Sequence, residues 1–193
     1  MARIERHKKS NRGKDLKCSK CGKEIAVGEE YLKATPYHRT PIIRCAKCGL
    51  KSYETSGSQY VQDIGSIVED WQESFGTSDG ATDEIISSLE EIRDYTQESL
   101  DNMPEQLQEG DTGCMLQDRI DCIEGAISDL EQISYEDLKE ELQDEAESNI
   151  GEYDPNTWDD EDQWKEEVAE ELDHLAEDAY IEAIDEALSQ LEY

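Results

Sequence analysis

Two short cysteine motifs decide how the N-terminal part of this chain is expected to fold: residues 18–23 read CSKCGK and residues 45–50 read CAKCGL. Each is a C-x2-C pair followed by glycine, and 23 residues separate the two pairs. A two-residue spacing lets both sulfurs of a tight turn converge on one ion, and glycine permits the positive φ of such turns. The pattern therefore predicts one structural metal site, with ligands Cys18, Cys21, Cys45 and Cys48.

Zinc is the expected ion, because four thiolates form the closed tetrahedral shell that structural zinc sites prefer. A redox-active dithiol pair and an iron–sulfur centre are the alternatives for the same cysteines. Between the pairs, residues 30–35 and 40–44 resemble strands and flank a turn that contains proline. We therefore expect a zinc ribbon over residues 18–52, in which one structural Zn²⁺ holds a β-hairpin.

The charge of the chain changes sign just after the second cysteine motif. Of the 193 residues, 18 are Lys or Arg and 50 are Asp or Glu, a formal net charge of -32. Residues 1–52 hold 14 of the basic and 5 of the acidic side chains, whereas residues 53–193 carry a net charge of -41. Because a small domain ordinarily carries a net charge of about 2–8 in magnitude, this asymmetry indicates a basic metal module attached to an acidic body.

Basic side chains in the N-terminal part form one candidate binding surface. Residues 1–17 are polar and basic, and we expect a flexible arm there. The basic residues nearest the cysteines are Lys17, Lys20, Lys23, Arg44, Lys47 and Lys51. Such a face either solvates a small module or contacts phosphate groups. On the second interpretation, the expected nucleic-acid contacts are Lys8, Lys9, Lys20 and Lys47.

Residues 57–193 show helical periodicity, with apolar side chains three and four residues apart in about five stretches. One such stripe comprises Ile85, Leu89, Ile92, Thr96 and Leu100. Thr82 and Ser134 are predicted N-caps of the second and fourth helices. Each apolar stripe must be buried against a partner. The expected fold class is therefore mainly α, a small zinc ribbon with four cysteine ligands followed by an acidic helical bundle.

Acidic residues are most crowded over residues 159–178, where 11 of 20 are Asp or Glu and Lys165 is the only Lys or Arg. Like charges four residues apart destabilise a helix, so a surface that served only solubility would intersperse lysine. Two interpretations stay open: a solvated face, or a surface that imitates the closely spaced charges of DNA. The second predicts a partner-binding surface at Asp159, Asp160, Glu166, Glu167, Glu170 and Glu171.

Several functional classes are not favoured. No apolar run approaches the roughly 20 residues of a membrane-spanning helix, and the first 14 residues lack the apolar segment of a secretory signal. Four of the six cysteines lie in C-x2-C pairs, which favours an intracellular metal protein over a disulfide-rich secreted one. Nucleophile elbows, phosphate-binding loops and HExxH motifs are absent from the sequence. We therefore expect a cytoplasmic protein that is not an enzyme and has no catalytic residues.

Two segments resemble a known group of proteins. Residues 21–25 (CGKEI), Gly28, Tyr31 and the second cysteine pair, together with residues 99–113 (SLDNMPEQLQEGDTG), are similar to uncharacterised bacteriophage zinc-ribbon proteins with an acidic helical C-terminal region. The resemblance implies a phage accessory protein made in the cytoplasm of a bacterial host. In composition, small acidic phage proteins often resemble inhibitors of restriction and CRISPR systems, which is an analogy of class.

These features predict a zinc-binding phage accessory protein that acts as a non-enzymatic inhibitor. Its acidic helical surface would mimic nucleic acid and block a basic host nucleic-acid-handling protein, such as a CRISPR or restriction nuclease. The alternative is an adaptor whose zinc ribbon and arm bind nucleic acid while the acidic body recruits a protein. A third interpretation is a structural protein that self-associates through its helices. A membrane partner is not expected.

Overall fold

Strands precede helices in this chain, and the change falls where the charge changes sign. The computed structural model describes residues 3–7, 16–36, 40–78, 80–155 and 160–191, and these contain five strands and six α-helices. The chain divides into two compact units between Glu69 and Asp70, inside the first helix, α1 (Gln59–Phe75). The predicted helical body, in contrast, begins at residue 57. A mainly α chain with a small N-terminal sheet and a cysteine cluster confirms the predicted fold class.

The N-terminal unit contains two small antiparallel sheets. The strands are β1 (Ile4–His7), β2 (Leu16–Lys17), β3 (Glu24–Ile25), β4 (Tyr31–Ala34) and β5 (Ile42–Cys45). The larger sheet has the order β1-β4-β5, and β2 pairs with β3. Tyr31 lies opposite Cys45 in the β4–β5 register, which places the start of one strand beside a predicted metal ligand. The β4–β5 pair is the predicted hairpin.

The flexible arm predicted over residues 1–17 is wrong for the parts that the structure describes. Strand β1 pairs with β4 along its whole length, and β2 begins at Leu16. The ring of His7 stacks on that of Tyr31, with centroids 4.7 Å apart and an interplanar angle of 8°. Strand pairing and this stack order β1 although its sequence is polar. Residues 1–2 and 8–15, with Lys8 and Lys9, lie outside the described residues.

The C-terminal unit is built from helices that pack in pairs. They are α2 (Ala81–Asp101), α3 (Glu105–Gln108), α4 (Asp111–Leu130), α5 (Tyr135–Ile150) and α6 (Glu161–Leu188). Helix α2 packs on α4, and α6 packs on both α4 and α5. The core residues with 1% or less exposure include Ile85, Leu89, Ile123, Leu130, Tyr180, Ile184 and Leu188. In the described part of the chain, no helix has both the length and the apolar character needed to cross a membrane.

Helices α5 and α6 form an antiparallel hairpin. At the connected end, the indole Nε1–H of Trp164 donates to the carbonyl oxygen of Gly151 at 2.9 Å. At the other end, the rings of Tyr135 and Tyr180 meet edge to face, with centroids 5.6 Å apart. Both ends are therefore fixed by specific contacts, although the outer faces of both helices are strongly acidic.

One of the two predicted helix caps is confirmed and the other is wrong. Ser134 precedes α5, and its hydroxyl accepts a hydrogen bond from the backbone N–H of Asp137 at 3.2 Å. Thr82 is instead the second residue of α2, which follows Gly80 at a φ of 97°. Thr82 is buried, and its hydroxyl accepts a hydrogen bond from the phenol of Tyr180 at 3.3 Å. Its side chain therefore joins α2 to α6 and does not cap α2.

Gly113 in α4 is expected to tolerate no side chain. A Cβ atom there would clash with the carbonyl oxygen of Gln108, a backbone atom at the end of α3. The side chain of Gln108 donates to the carbonyl oxygens of Leu100 and Met103, at 3.0 and 2.8 Å, which anchors the α2–α4 connection. Because overpacking costs about 1–3 kcal/mol, Gly113→Ala should lower the midpoint of thermal unfolding measured by circular dichroism.

Gly125, in the same helix, is the matched control. A Cβ there meets only the flexible side chain of Gln190, at 3.3 Å, and alanine is favoured over glycine within a helix by about 1 kcal/mol. Gly125→Ala should leave the midpoint unchanged or raise it. Equal effects of the two substitutions would contradict the close approach of α3 to α4.

Candidate metal centre

The four predicted metal ligands lie together in the structure. The sulfurs of Cys18, Cys21, Cys45 and Cys48 all lie within 4.8 Å of one another. Two sulfurs on a tetrahedral ion with metal–sulfur bonds of about 2.3 Å are about 3.8 Å apart. The Sγ atoms of Cys21 and Cys45 are separated by 3.9 Å, which matches this edge length. The cluster therefore fits a four-coordinate metal ion bound by thiolates.

Two tight turns bring the sulfurs together. In the first, the N–H of Gly22 donates to the carbonyl oxygen of Cys18 at 2.9 Å. In the second, the N–H of Cys48 donates to the carbonyl oxygen of Cys45 at 3.1 Å. The glycine after each pair, Gly22 or Gly49, has a φ of 70° or 66°. Glycine adopts this left-handed conformation without the steric cost that a Cβ imposes, as the sequence predicted.

A small apolar cluster surrounds the cysteines of the N-terminal unit. Cys18, Ile25 and Cys45 are its buried residues, and the half-buried side chains packed against them are those of Leu16, Tyr31, Ile43 and Cys48. So small an apolar cluster supplies little stability by itself. A metal ion bound by four thiolates would supply the remainder, because binding and folding of such a unit are one equilibrium.

The surroundings of the cluster divide the thiols into two kinds. Burial raises the pKa of Cys18, but hydrogen bonds from the backbone of Cys21 and Cys45 outweigh it and lower that pKa to about 6. Backbone hydrogen bonding at Cys48 is the main cause that lowers the pKa of Cys45. The pKa of Cys48 is raised to about 12, chiefly by its side-chain contacts with Cys21 and Cys45. Since only thiolates bind metal, the cysteine cluster would release protons when it binds a cation.

Arg44, predicted to belong to a basic face, is a structural residue. Its guanidinium donates to the hydroxyl of Ser19, in the first cysteine turn, and to Glu54 Oε1 at 2.5 Å. Glu54 also accepts from the backbone N–H of Lys51 at 2.8 Å, and it lies in a 3₁₀ turn at Tyr53–Thr55. Arg44 thus ties the metal turn to the segment that leads into α1. The sequence gives little signal of this, because one Arg among many predicts no particular partner.

Three more of the expected basic side chains are in ion pairs. These pairs are Lys17–Glu24 at 3.7 Å, Lys23–Glu29 at 3.7 Å and Lys51–Glu69 at 3.2 Å. Lys20 and Lys47, one in each cysteine turn, are exposed and make no ion pair among the described residues. The candidate phosphate contacts are thereby reduced to these two lysines in the part of the chain that is described.

Some residues of the predicted acidic surface make hydrogen bonds within the protein, and others are exposed. Glu166, Glu167 and Glu170 are exposed on α6. Asp160 instead caps that helix, because its carboxylate accepts from the backbone N–H of Gln163 at 2.7 Å. Glu171 is half-buried and accepts from the Asn149 amide at 2.9 Å. Asp159 lies outside the described residues.

Glu54→Gln is expected to lower the stability of the N-terminal unit. The side chains of Arg44 and Glu54 are only 12% and 21% exposed. Removing the carboxylate charge therefore weakens a hydrogen bond to a poorly solvated guanidinium, at a cost of about 1.5–3 kcal/mol. The variant should release its metal at a lower denaturant concentration, as followed with a colorimetric chelator. Glu24→Gln is the control, because the side chains of Glu24 and Lys17 in that ion pair are 66% and 70% exposed. It should lower the free energy of unfolding by less than about 1 kcal/mol. If both variants lower the denaturant concentration of metal release equally, the structural role of Arg44 is contradicted.

No protein-family model, curated protein sequence or solved structure matches this chain.

Proposed function

We propose that this protein is a zinc-stabilised, non-enzymatic inhibitor whose acidic helices occupy the nucleic-acid-binding surface of a basic protein. In this proposal it is a phage accessory protein, and its target is a host defence enzyme such as a CRISPR or restriction nuclease. The observation that carries the proposal is the density of exposed carboxylates on the α5–α6 hairpin.

The charge spacing on the α5–α6 hairpin resembles that of a nucleic acid strand. Helix α6 holds 12 Asp and Glu in 28 residues, or one per about 3.5 Å at a rise of about 1.5 Å per residue. Helix α5 holds 7 in 16 residues, or one per about 3.4 Å. Phosphates along one DNA strand are spaced by about 3.4 Å. Two antiparallel helices with this spacing present a charge pattern that a DNA-binding cleft would accept.

The other two long helices of this unit are less densely charged. Helix α2 holds 7 acidic residues in 21, and α4 holds 5 in 20. These counts correspond to one carboxylate per about 4.5 Å and about 6 Å, respectively. The contrast favours the α5–α6 hairpin as the contact surface over a uniformly acidic, solvated exterior.

Zinc is the ion proposed for the cysteine cluster. A tetrahedral set of four sulfurs suits zinc or iron–sulfur chemistry. Zinc fits a structural role, because two of the cysteines are buried in a small apolar cluster and zinc adds no redox chemistry. The ligands are Cys18, Cys21, Cys45 and Cys48, and the ion stabilises the fold of the turns. Elemental analysis of the purified protein should give one zinc per chain.

A nucleic-acid-binding adaptor is the second candidate, and one observation favours it. Lys20 and Lys47 occupy equivalent positions in the two cysteine turns, and both are exposed. Two lysines beside a zinc ribbon suit contacts to phosphate groups. In that case the acidic unit would recruit a protein.

The proposal is tested by DNA cleavage reactions with purified CRISPR and restriction nucleases, to which the metal-loaded protein is added. We expect inhibition of at least one nuclease that a rise from about 0.05 to about 0.15 M salt weakens, because exposed charges are screened within about 8 Å at the higher salt. Inhibition that is insensitive to salt would contradict nucleic-acid mimicry. Binding to the DNA substrate itself would favour the adaptor.

A further inference from the structure

We propose that a groove at the connected end of the α5–α6 hairpin binds an arginine side chain of the protein's basic partner. This inference rests on the proposed function, because it assigns a specific contact within the same acidic surface. The groove has a volume of about 520 Å³. Its lining residues are Asp144, Glu147, Ser148, Gly151, Glu152, Tyr153 and Trp164.

Aromatic rings fix the shape of the groove. The Trp164 indole is held by its hydrogen bond to the Gly151 carbonyl at 2.9 Å, so its ring orientation is set before any partner binds. Tyr153 meets Trp164 at an interplanar angle of 63°, with ring centroids 6.3 Å apart. Tyr153 is one of the few large hydrophobic side chains exposed in the described residues, at 37%. The groove therefore offers ring surface to a partner without rearrangement.

Carboxylates surround these rings. Asp144 and Glu147 reach the groove from α5, and Glu152 reaches it from the turn after α5, whereas its described lining includes no Lys or Arg. A guanidinium stacks on aromatic rings and binds carboxylates with two parallel hydrogen bonds. The ammonium of lysine is a strongly hydrated point charge, so it stacks on aromatic rings less well than a guanidinium does. The combination of rings and carboxylates thus favours arginine.

The chain itself contains a filled example of the same arrangement. Between α5 and α6, the ammonium of Lys139 lies 5.1 Å from the centroid of the Tyr135 ring. The same nitrogen lies 2.5 Å from a carboxylate oxygen of Asp173. There, a cation from the chain satisfies an aromatic ring and a carboxylate together. The groove at Trp164 offers equivalent groups to a cation from another molecule.

The test is a nuclear magnetic resonance titration of the full-length, metal-loaded protein with the peptide acetyl-Gly-Arg-Gly-amide. Two matched peptides carry citrulline, which keeps the shape but not the charge, or lysine in place of arginine. We expect a saturable shift of the Trp164 indole Nε1–H resonance, with an apparent affinity at least about fivefold higher for arginine than for either matched peptide. Equal affinities for arginine and citrulline would overturn the inference, as would arginine shifts spread evenly over α5 and α6.

Two variants and a control locate the effect. Tyr153→Leu, and separately the pair Asp144→Asn with Glu152→Gln, should each reduce the affinity for the arginine peptide at least about fivefold. The control pair, Glu140→Gln with Glu141→Gln, makes the same charge change at exposed positions of α5 that do not line the groove, and it should change affinity less than about twofold. Equal losses in both pairs would mean that net charge, and not the groove, binds the peptide.

The nuclease reactions separate this inference from the proposed function. If the parent protein inhibits a nuclease but the arginine peptide does not shift Trp164, the groove assignment is wrong and the proposed function stands. If the peptide binds as expected and no nuclease is inhibited, the groove recognises arginine and the proposed function is wrong. If both hold, Tyr153→Leu should weaken inhibition by a similar factor to its loss of peptide affinity.

Discussion

Replacing Cys45 with serine is expected to abolish metal binding and to unfold the N-terminal unit, while helices α2–α6 stay folded. Cys45 is both a proposed ligand and one of the three buried residues of the apolar cluster around the cysteines. Structural zinc contributes about 10–16 kcal/mol of apparent binding free energy in small zinc-binding peptides, far more than so small an apolar core supplies. The C-terminal unit has its own buried residues, such as Ile123 and Ile184.

Amide resonances and far-ultraviolet circular dichroism together measure this effect. Resonances of residues 16–50 should collapse to unfolded positions, and a chelator added to the parent protein should produce the same change. Most of the helical dichroism should persist. Cys114→Ser, at an exposed cysteine outside the cluster, should leave both measurements unchanged. Loss of all helical signal would show that the two units share one core, which would contradict this account.

Neutralising Glu166, Glu167 and Glu170 together is expected to weaken inhibition of a sensitive nuclease about tenfold. Each exposed ion pair with a partner contributes roughly 0.2–1 kcal/mol. Three pairs of just under about 0.5 kcal/mol each sum to about 1.4 kcal/mol, which is tenfold in affinity. The measurement is the concentration of the triple glutamine variant that halves DNA cleavage. The loss should be larger at low salt, where screening is weaker.

The matched control removes three charges from the less dense helices. Glu91→Gln, Glu98→Gln and Asp118→Asn change exposed positions of α2 and α4, and the net charge changes by the same amount. This variant should inhibit within about threefold of the parent protein. If both triple variants lose inhibition equally, the net charge of the protein determines inhibition, and the α5–α6 hairpin is not a specific binding surface.

The sequence was sufficient to predict which four cysteines cluster, because C-x2-C pairs followed by glycine encode a local turn geometry. Strands β4 and β5 and the long helices were also predictable, since their apolar spacing is a local property. Strand β1 was not, because its order comes from pairing with β4 and from the stack of His7 on Tyr31. These contacts join residues far apart in sequence, and periodicity carries no information about them.

Individual polar residues were predicted less well than elements. Ser134 was identifiable as a cap from its immediate neighbours. The hydrogen bond between Thr82 and Tyr180 joins residues 98 positions apart, so the sequence around Thr82 does not indicate it. Arg44 and Asp160 were expected on binding surfaces, but one bonds Glu54 and the other caps α6. Composition identifies how much charge a segment carries, and only the structure separates charges with internal partners from those free to meet another molecule.

In the proposed function, the acidic unit, and not the basic one, is the binding surface. The fluorescence anisotropy of labelled DNA and RNA tests this claim at about 0.05 and 0.15 M salt, with the nucleic acid first alone and then bound to a nuclease. We predict no change when the metal-loaded protein is added to free nucleic acid, and a fall to the free value when it is added to the nuclease complex. Salt-dependent binding to free nucleic acid that is lost on neutralising Lys20 and Lys47 would contradict the claim and establish the adaptor instead.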